Sequence, residues 1–419
     1  MRDIPKCIYR RVMQLRLGEY EGVMVYSLET VRNDYPALSD GYAYLDGAAG
    51  TQTPAPVIEA VARAYREGIG NVGGAFPASR RADAIVAACR AAVADLVGGV
   101  PEGVILGPNM TTLTYRLARV LAGPGDEVVV SRLDHDANVR PWAQTGARLR
   151  WAQVDPVTGE LPVEQYAKLV GPRTRVVAVT AASNILGTRP DVAAICEIAH
   201  AAGALTYVDG VHATAHGPVD VHALGADFYA TSAYKWSGPH VGAVVADPVA
   251  LASLHPDKLV PAPETVPERF EIGTSAFADL AGVTAAVDHL AGLVPGGGSR
   301  RERLLASMRV AQEHELELFA GLLAGLERLP HVTLYGKPAR RTATAYFTVA
   351  GLSPRQVAER LAARKVNVWS GHNYAWELTG ALGLRESGGA VRAGLVHYND
   401  RSDVERLLDG VAELRQDRR

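Results

Sequence analysis

Cysteine is scarce: Cys7, Cys89 and Cys196 are the three in 419 residues. They are too few and too scattered for a disulfide framework and lack metal-ligand spacing, so a reducing, cytoplasmic setting is expected. No uncharged apolar run approaches the roughly 18 residues of a membrane-crossing helix, and no membrane association is expected. Net charge is lacking too. With 43 Lys+Arg against 45 Asp+Glu, the formal charge of -2 gives no electrostatic reason to expect nucleic acid or an anionic membrane as partner. Arg2, Lys6, Arg10, Arg11 and Arg16 open the chain without the apolar stretch of a secretory signal, which argues against export. Repeats and low-complexity tracts are absent. His212, His216 and His222 form a triplet without an H-E-x-x-H pattern, and no metal site is expected.

What is present is a chain 48% hydrophobic and 21% charged, long enough for two domains or one large and one small lobe. Short apolar runs at 125–130, 176–180 and 204–208 alternate with helical stretches at 53–65, 81–97 and 191–202. That alternation predicts an α/β fold with a mostly parallel sheet covered on both faces. Gly296-Gly297-Gly298-Ser299 breaks the pattern as a joint. Beyond it, a long helix over 300–329, a strand over 344–349 and a helix over 353–363 predict a smaller α+β lobe.

Chemistry concentrates in two places. Lys235 follows the apolar run Phe228-Tyr229-Ala230-Thr231-Ser232, and Asp209 ends the run Tyr207-Val208 upstream. A lysine desolvated at the end of a strand forms a Schiff base with pyridoxal phosphate, and an aspartate on a neighbouring strand pairs with the cofactor's pyridinium nitrogen. Together the two residues point to that cofactor. Gly68-Ile69-Gly70-Asn71-Val72-Gly73 matches a dinucleotide-binding pattern literally, yet it follows a predicted helix where that motif should follow a strand. It reads as a glycine-rich active-site loop.

Further segments appear in a fixed order: Asp134-His135-Asp136-Ala137-Asn138, Ala182-Ser183-Asn184-Ile185-Leu186-Gly187-Thr188, Val208-Asp209-Gly210-Val211-His212, Ser232-Ala233-Tyr234-Lys235, Glu271-Ile272-Gly273-Thr274 and Val391-Arg392-Ala393-Gly394. In these the chain resembles class V aminotransferases, most of all their cysteine desulfurase branch, over about residues 25 to 415. The resemblance implies the type I fold of pyridoxal-phosphate enzymes, with a large domain of seven-stranded type over 43–294 and a small C-terminal domain over 295–419. Residues 25–42 are expected to pack with the small domain. Residues 1–24 have uncertain status, because the family-like pattern begins near Ser27 and translation starting at Met24 is one reading.

The resemblance also implies a site. Lys235 would carry the cofactor and shuttle the proton at the substrate's α-carbon, Asp209 would hold the pyridinium, and His135 would stack on the ring. Asn184 and His212 fall where the phenolic oxygen is bound. Thr111, Thr112, Ser232 and Tyr234 fall around the phosphate, with Thr274 reaching it from a neighbouring subunit, so a homodimer with shared active sites is implied. Arg392 is the expected clamp for the substrate carboxylate, because its planar fork binds both oxygens. Asn71, His372 and Tyr374 complete the substrate side.

One departure decides the expected reaction. In Ser370-Gly371-His372-Asn373-Tyr374-Ala375-Trp376, Tyr374 stands where the resemblance places the sulfur-accepting cysteine of a desulfurase, and no cysteine follows Cys196. A phenol cannot replace the thiolate that a persulfide requires. The expected activity is therefore a lyase acting on an L-amino acid through its α-carbanion, by β-elimination, desulfination or decarboxylation. An aminotransferase or epimerase is the alternative, and an idle binding protein on the same fold a minor one.

Overall fold

The computed structural model describes residues 26–414. Cys7 and Met24, on which the reading of the first residues turns, lie outside them. After a short strand β1 (Ala43–Tyr44), seven strands build the main sheet: β2 (Val104–Gly107), β3 (Glu127–Ser131), β4 (Arg148–Ala152), β5 (Thr174–Thr180), β6 (Leu205–Asp209), β7 (Phe228–Ser232) and β8 (Gly242–Ala246). Their order across the sheet is β2-β8-β7-β6-β5-β3-β4. Every neighbouring pair is parallel except those made by β8.

The valine- and alanine-rich strands are buried on both faces, which is why they read as continuous apolar runs. Val128, Val130, Tyr207 and Phe228 pack against the helix Met110–Leu121 on one face. Val129, Val177, Val208 and Tyr229 join the core on the other, with residues of the helices Pro77–Val97, Val192–Ala201 and Phe277–Ala291. The edge strand β4 carries Arg148 and Arg150, which meet buried Glu127 at 3.7 and 3.3 Å. Charge on an edge discourages further strand pairing.

A second, antiparallel sheet has the order β12-β13-β10-β9, from β9 (Val332–Leu334), β10 (Thr344–Val349), β12 (Trp369–Gly371) and β13 (Ala390–Gly394). β11 (Val366–Asn367) pairs in parallel with β1. Ala43 and Leu45, expected at the start of the large domain, accordingly lie in the core of this smaller sheet. The segment before them is anchored more widely than expected. Arg32 meets Asp403 at 3.1 Å, whereas the hydroxyl of Tyr35 reaches His397, His289 and Ser237, the last two outside the small lobe.

The helix Arg300–Glu327 joins the two bodies. Ser299 caps it reciprocally with Glu302, two donors satisfied at once. Its first half buries Leu304 and Met308 in the core of the large sheet, and its second half buries Phe319, Leu322 and Leu326 in that of the small one.

Candidate active site

The carboxyl ends of β3, β5, β6 and β7 converge on one pocket, the usual binding edge of a parallel α/β sheet. It is lined by His135, Asn184, Asp209, His212, Ser232, Tyr234 and Lys235, together with Met110 and Thr111. Eight of the residues named from the sequence therefore meet at this edge, and Met110 joins them without having been singled out.

Lys235 lies three residues beyond β7, in a single turn of 3-10 helix. Its Nζ donates to the carbonyls of Ala48 and Ala49 at 2.7 and 2.9 Å. Burial, helped by the charge of Arg392 and opposed by Asp209, brings its pKa down to about 7. Such an amine is substantially neutral, hence nucleophilic, near neutral pH. Asp209, the last residue of β6, is pushed up to about 6 by burial although the amide of Val211 donates to it at 3.0 Å. A buried carboxylate so placed gains most from a cationic partner.

His135 is fixed through Nδ1, which accepts from the amide of Ala137 at 3.1 Å. Burial, with Lys235 and Arg392 adding to it, lowers its pKa to about 3, so the ring is a neutral plate. Asp134 beneath it holds the loop by bonding Ser131 and Asn138. The ring of Tyr374 stacks on His135 with centroids 5.5 Å apart and planes at 30°. Tyr374 is 68% exposed and left-handed at φ 57°, as Asn373 is at φ 50°. For a tyrosine that backbone costs about 1–2 kcal/mol and persists where neighbours enforce it. The amide of Asp136 donates to the carbonyl of Tyr374 and the side-chain amide of Asn184 to that of Asn373, both at 2.8 Å, and Glu377 adds ion pairs to Arg140 at 2.6 Å and Arg132 at 3.2 Å. His372 sits on the exposed rim, where its Nδ1 accepts from the amide of Tyr374 at 3.2 Å.

Arg392 reaches the pocket from the other sheet. Cross-strand neighbours Tyr346 and Trp369 flank it. One end of its fork donates to the carbonyl of Asn184 at 3.1 Å, while its Nε is buried without a partner, as is Oδ1 of Asn184. Asp46, missed by the sequence reading, lies close enough to raise the pKa of Arg392 against the burial that lowers it to about 10.

Several expectations are corrected. Thr112 does not face the pocket: its amide and hydroxyl both bond the side chain of Asn109 at 2.9 and 3.0 Å. Successive helical residues point about 100° apart, and here Thr111 lines the pocket while Thr112 turns to Asn109. Asn109 caps the helix that begins at Met110. The imidazole of His212 lines the pocket, but its Nε2 is bonded to the hydroxyls of Thr342 and Thr344 at 3.0 and 3.1 Å. That nitrogen is therefore already engaged by the small sheet. Asn71 and Thr274 are exposed and border a separate surface cleft, away from Lys235 within the chain. The Gly68–Gly73 stretch joins two helices, so it has no strand to follow.

The residues fit pyridoxal phosphate. A buried amine, a buried carboxylate, a flat neutral imidazole and the start of a capped helix with Ser232 beside it supply the four contacts the group needs. The hydroxyl of Ser232 accepts from the amide of Met110 at 3.0 Å, drawing that helix start against the pocket.

Comparison with known proteins agrees. The family model described as Aminotransferase class-V matches residues 43–407. An uncharacterised protein of Mycobacterium tuberculosis is 38% identical, over 93% of this chain and 100% of that one. A probable cysteine desulfurase of Pseudomonas putida is 32% identical, over 91% and 96%. The apo structure of a cysteine desulfurase from Thermococcus onnurineus superposes with a TM-score of 0.82 at 28% identity, over 94% and 99%.

Proposed function

The chain belongs to the class V aminotransferase family, whose members use pyridoxal phosphate, and from that premise we propose that it is a lyase acting on an L-amino acid without forming a protein persulfide. The observation that carries this reading is Tyr374. It stands over His135, and among the described residues no thiol lines the pocket: Cys89 and Cys196 are buried, with burial pushing them up to about 12 and about 11. Thiols held protonated in a core are inert.

Pyridoxal phosphate, when bound, supplies an electron sink for the bonds at the amino acid's α-carbon. The chain's own residues do the rest. Lys235 would hold the cofactor, and its amine, poised near neutral pH, would take and return the proton at that carbon. Asp209 would keep the ring nitrogen protonated, since a buried anion favours the charged form of its partner. Arg392, one end of its fork already fixed, would orient the substrate carboxylate. Tyr374 would cover the mouth and keep water out.

Incubation of the holoenzyme with an amino-acid panel tests the reading. Pyruvate and ammonia, or sulfite or carbon dioxide, released without an added keto acid support a lyase. Strict dependence on a keto acceptor, or racemisation alone, would replace it with the aminotransferase or epimerase reading. A homodimer in which Asn71 and Thr274 complete the partner's site goes with this proposal, as does a cytoplasmic location. Among the described residues no helix is long and apolar enough to cross a membrane.

A further inference from the structure

A second cleft of about 720 Å³ opens on the sheet face that carries Tyr229, opposite the Met110–Leu121 helix. Its floor is apolar, built from Pro190, Val219, Leu224 and the ring of Tyr229. Its wall carries three arginines, Arg189, Arg340 and Arg341. A short antiparallel contact holds them together: Thr188 bridges Arg341, and the amide of Arg189 donates to the carbonyl of Arg340 at 2.9 Å.

Among the described residues none of these three cations is in direct contact with a carboxylate, although the charge of Glu315 is felt at Arg189. Arg341 donates to the carbonyls of Leu186 and Thr344 at 3.0 and 2.8 Å and lies over Phe319, yet its Nε is buried without a partner. Burial alone lowers its pKa to about 10, and burial with the charge of Arg340 lowers that of Arg189 against the opposing influence of Tyr229 and Glu315. Two acids border the cleft, but both are engaged elsewhere. Asp191 caps its helix through the amide of Ala194 at 3.3 Å, and Asp220 accepts from the amide of Ala223 at 2.9 Å while facing Arg301 at 3.5 Å. Gathering unneutralised guanidinium groups against an apolar floor is unfavourable unless an anion completes them.

We propose that this cleft binds a small organic anion, its apolar body on Pro190, Val219 and Tyr229 and its carboxylate or phosphate head on Arg189 and Arg340. The site is separate from the pocket of Lys235, although their walls are continuous: Asn184 lies in the segment leading to Arg189, and Thr342, which holds His212, follows Arg341.

Calorimetric titration of the holoenzyme with phenyl phosphate and, in a second arm, with 3-phenylpropionate tests the proposal. Saturable binding of at least one probe is expected, and the arm that binds more tightly identifies the head group. Arg189→Ala/Arg340→Ala should weaken it at least about tenfold, and Arg340→Glu, at an exposed position, should do the same without disturbing the fold. Arg392→Ala should leave the affinity within about twofold, since that arginine belongs to the other pocket. Absence of saturable binding below about 10 mM in both arms, full affinity in the cleft variants, or loss of binding in Arg392→Ala would each overturn the assignment.

Discussion

Lys235 and Asp209 have been pushed toward one another's titration range, the amine down to about 7 and the carboxyl up to about 6. Burial dominates both shifts, and it penalises whichever form is charged. Capture of pyridoxal phosphate by the apo-protein should follow the neutral amine: its rate falls about tenfold per pH unit below 7 and levels off above it, as stopped-flow absorbance would show. A rate that keeps climbing to pH 10 would mean an unperturbed lysine. Lys235→Ala should lose the visible absorbance of lysine-bound cofactor and nearly all turnover. Asp209→Asn should retain the cofactor yet slow turnover, because an amide does not hold the pyridinium proton. The two thiols give the complementary test. After incubation with L-cysteine, persulfide labelling of the wild type should not exceed that of a Cys89→Ala/Cys196→Ala double variant, and stoichiometric labelling of either residue would restore desulfurase chemistry.

Among the elements, the loop of Tyr374 is tied to the large body by backbone and side-chain bonds, the amide of Asp136 donating to the carbonyl of Tyr374 and the side-chain amide of Asn184 to that of Asn373, both at 2.8 Å, and by one ionic anchor. Glu377 draws together Arg132 and Arg140 from the large body, with Arg385 at 3.8 Å, and so helps to hold the segment that carries a left-handed tyrosine over His135. Glu377→Gln should loosen the cover: KM rises about 3- to 10-fold while the spectrum of the bound cofactor stays unchanged, because the side chain touches neither Lys235 nor Asp209. An unchanged KM would show that the strained turn holds itself. This anchor was invisible in the sequence, since its partners lie some 240 residues away and obey no local period. Elements fixed by local signals were legible. The strand 344–349 appears as β10 with both ends as expected, and the helix expected over 353–363 begins after Ser353, whose cap with Gln356 is a local device. The helix Met110–Leu121 also has a local signal, the side chain of Asn109 capping its first turn. Lys235, Asp209, His135 and Arg392 were readable because each sits in a recognisable segment at a strand end or, for Arg392, within a strand. The engagement of His212 by Thr342 and Thr344 was not, since hydrogen bonds across two sheets leave no sequence trace.

For the molecule as a whole, the position of Thr274 away from Lys235 carries the consequence for assembly. If two chains share their sites, Lys235→Ala and Thr274→Asp, each nearly inactive alone, should regain about a quarter of wild-type activity when mixed and reassociated, since half the dimers then hold one intact site. Mixing without recovery would mean that each chain is self-sufficient. The helix Arg300–Glu327 has a different consequence. A single rod embedded in two cores leaves neither core complete by itself, so the lobes should melt as one cooperative unit in calorimetry even though each has its own sheet. A fragment ending at Gly298 would leave bare the seat of Leu304 and Met308, an apolar furrow running the length of the missing half-helix. Such a fragment should precipitate as it is made, whatever the intrinsic quality of its seven-stranded sheet.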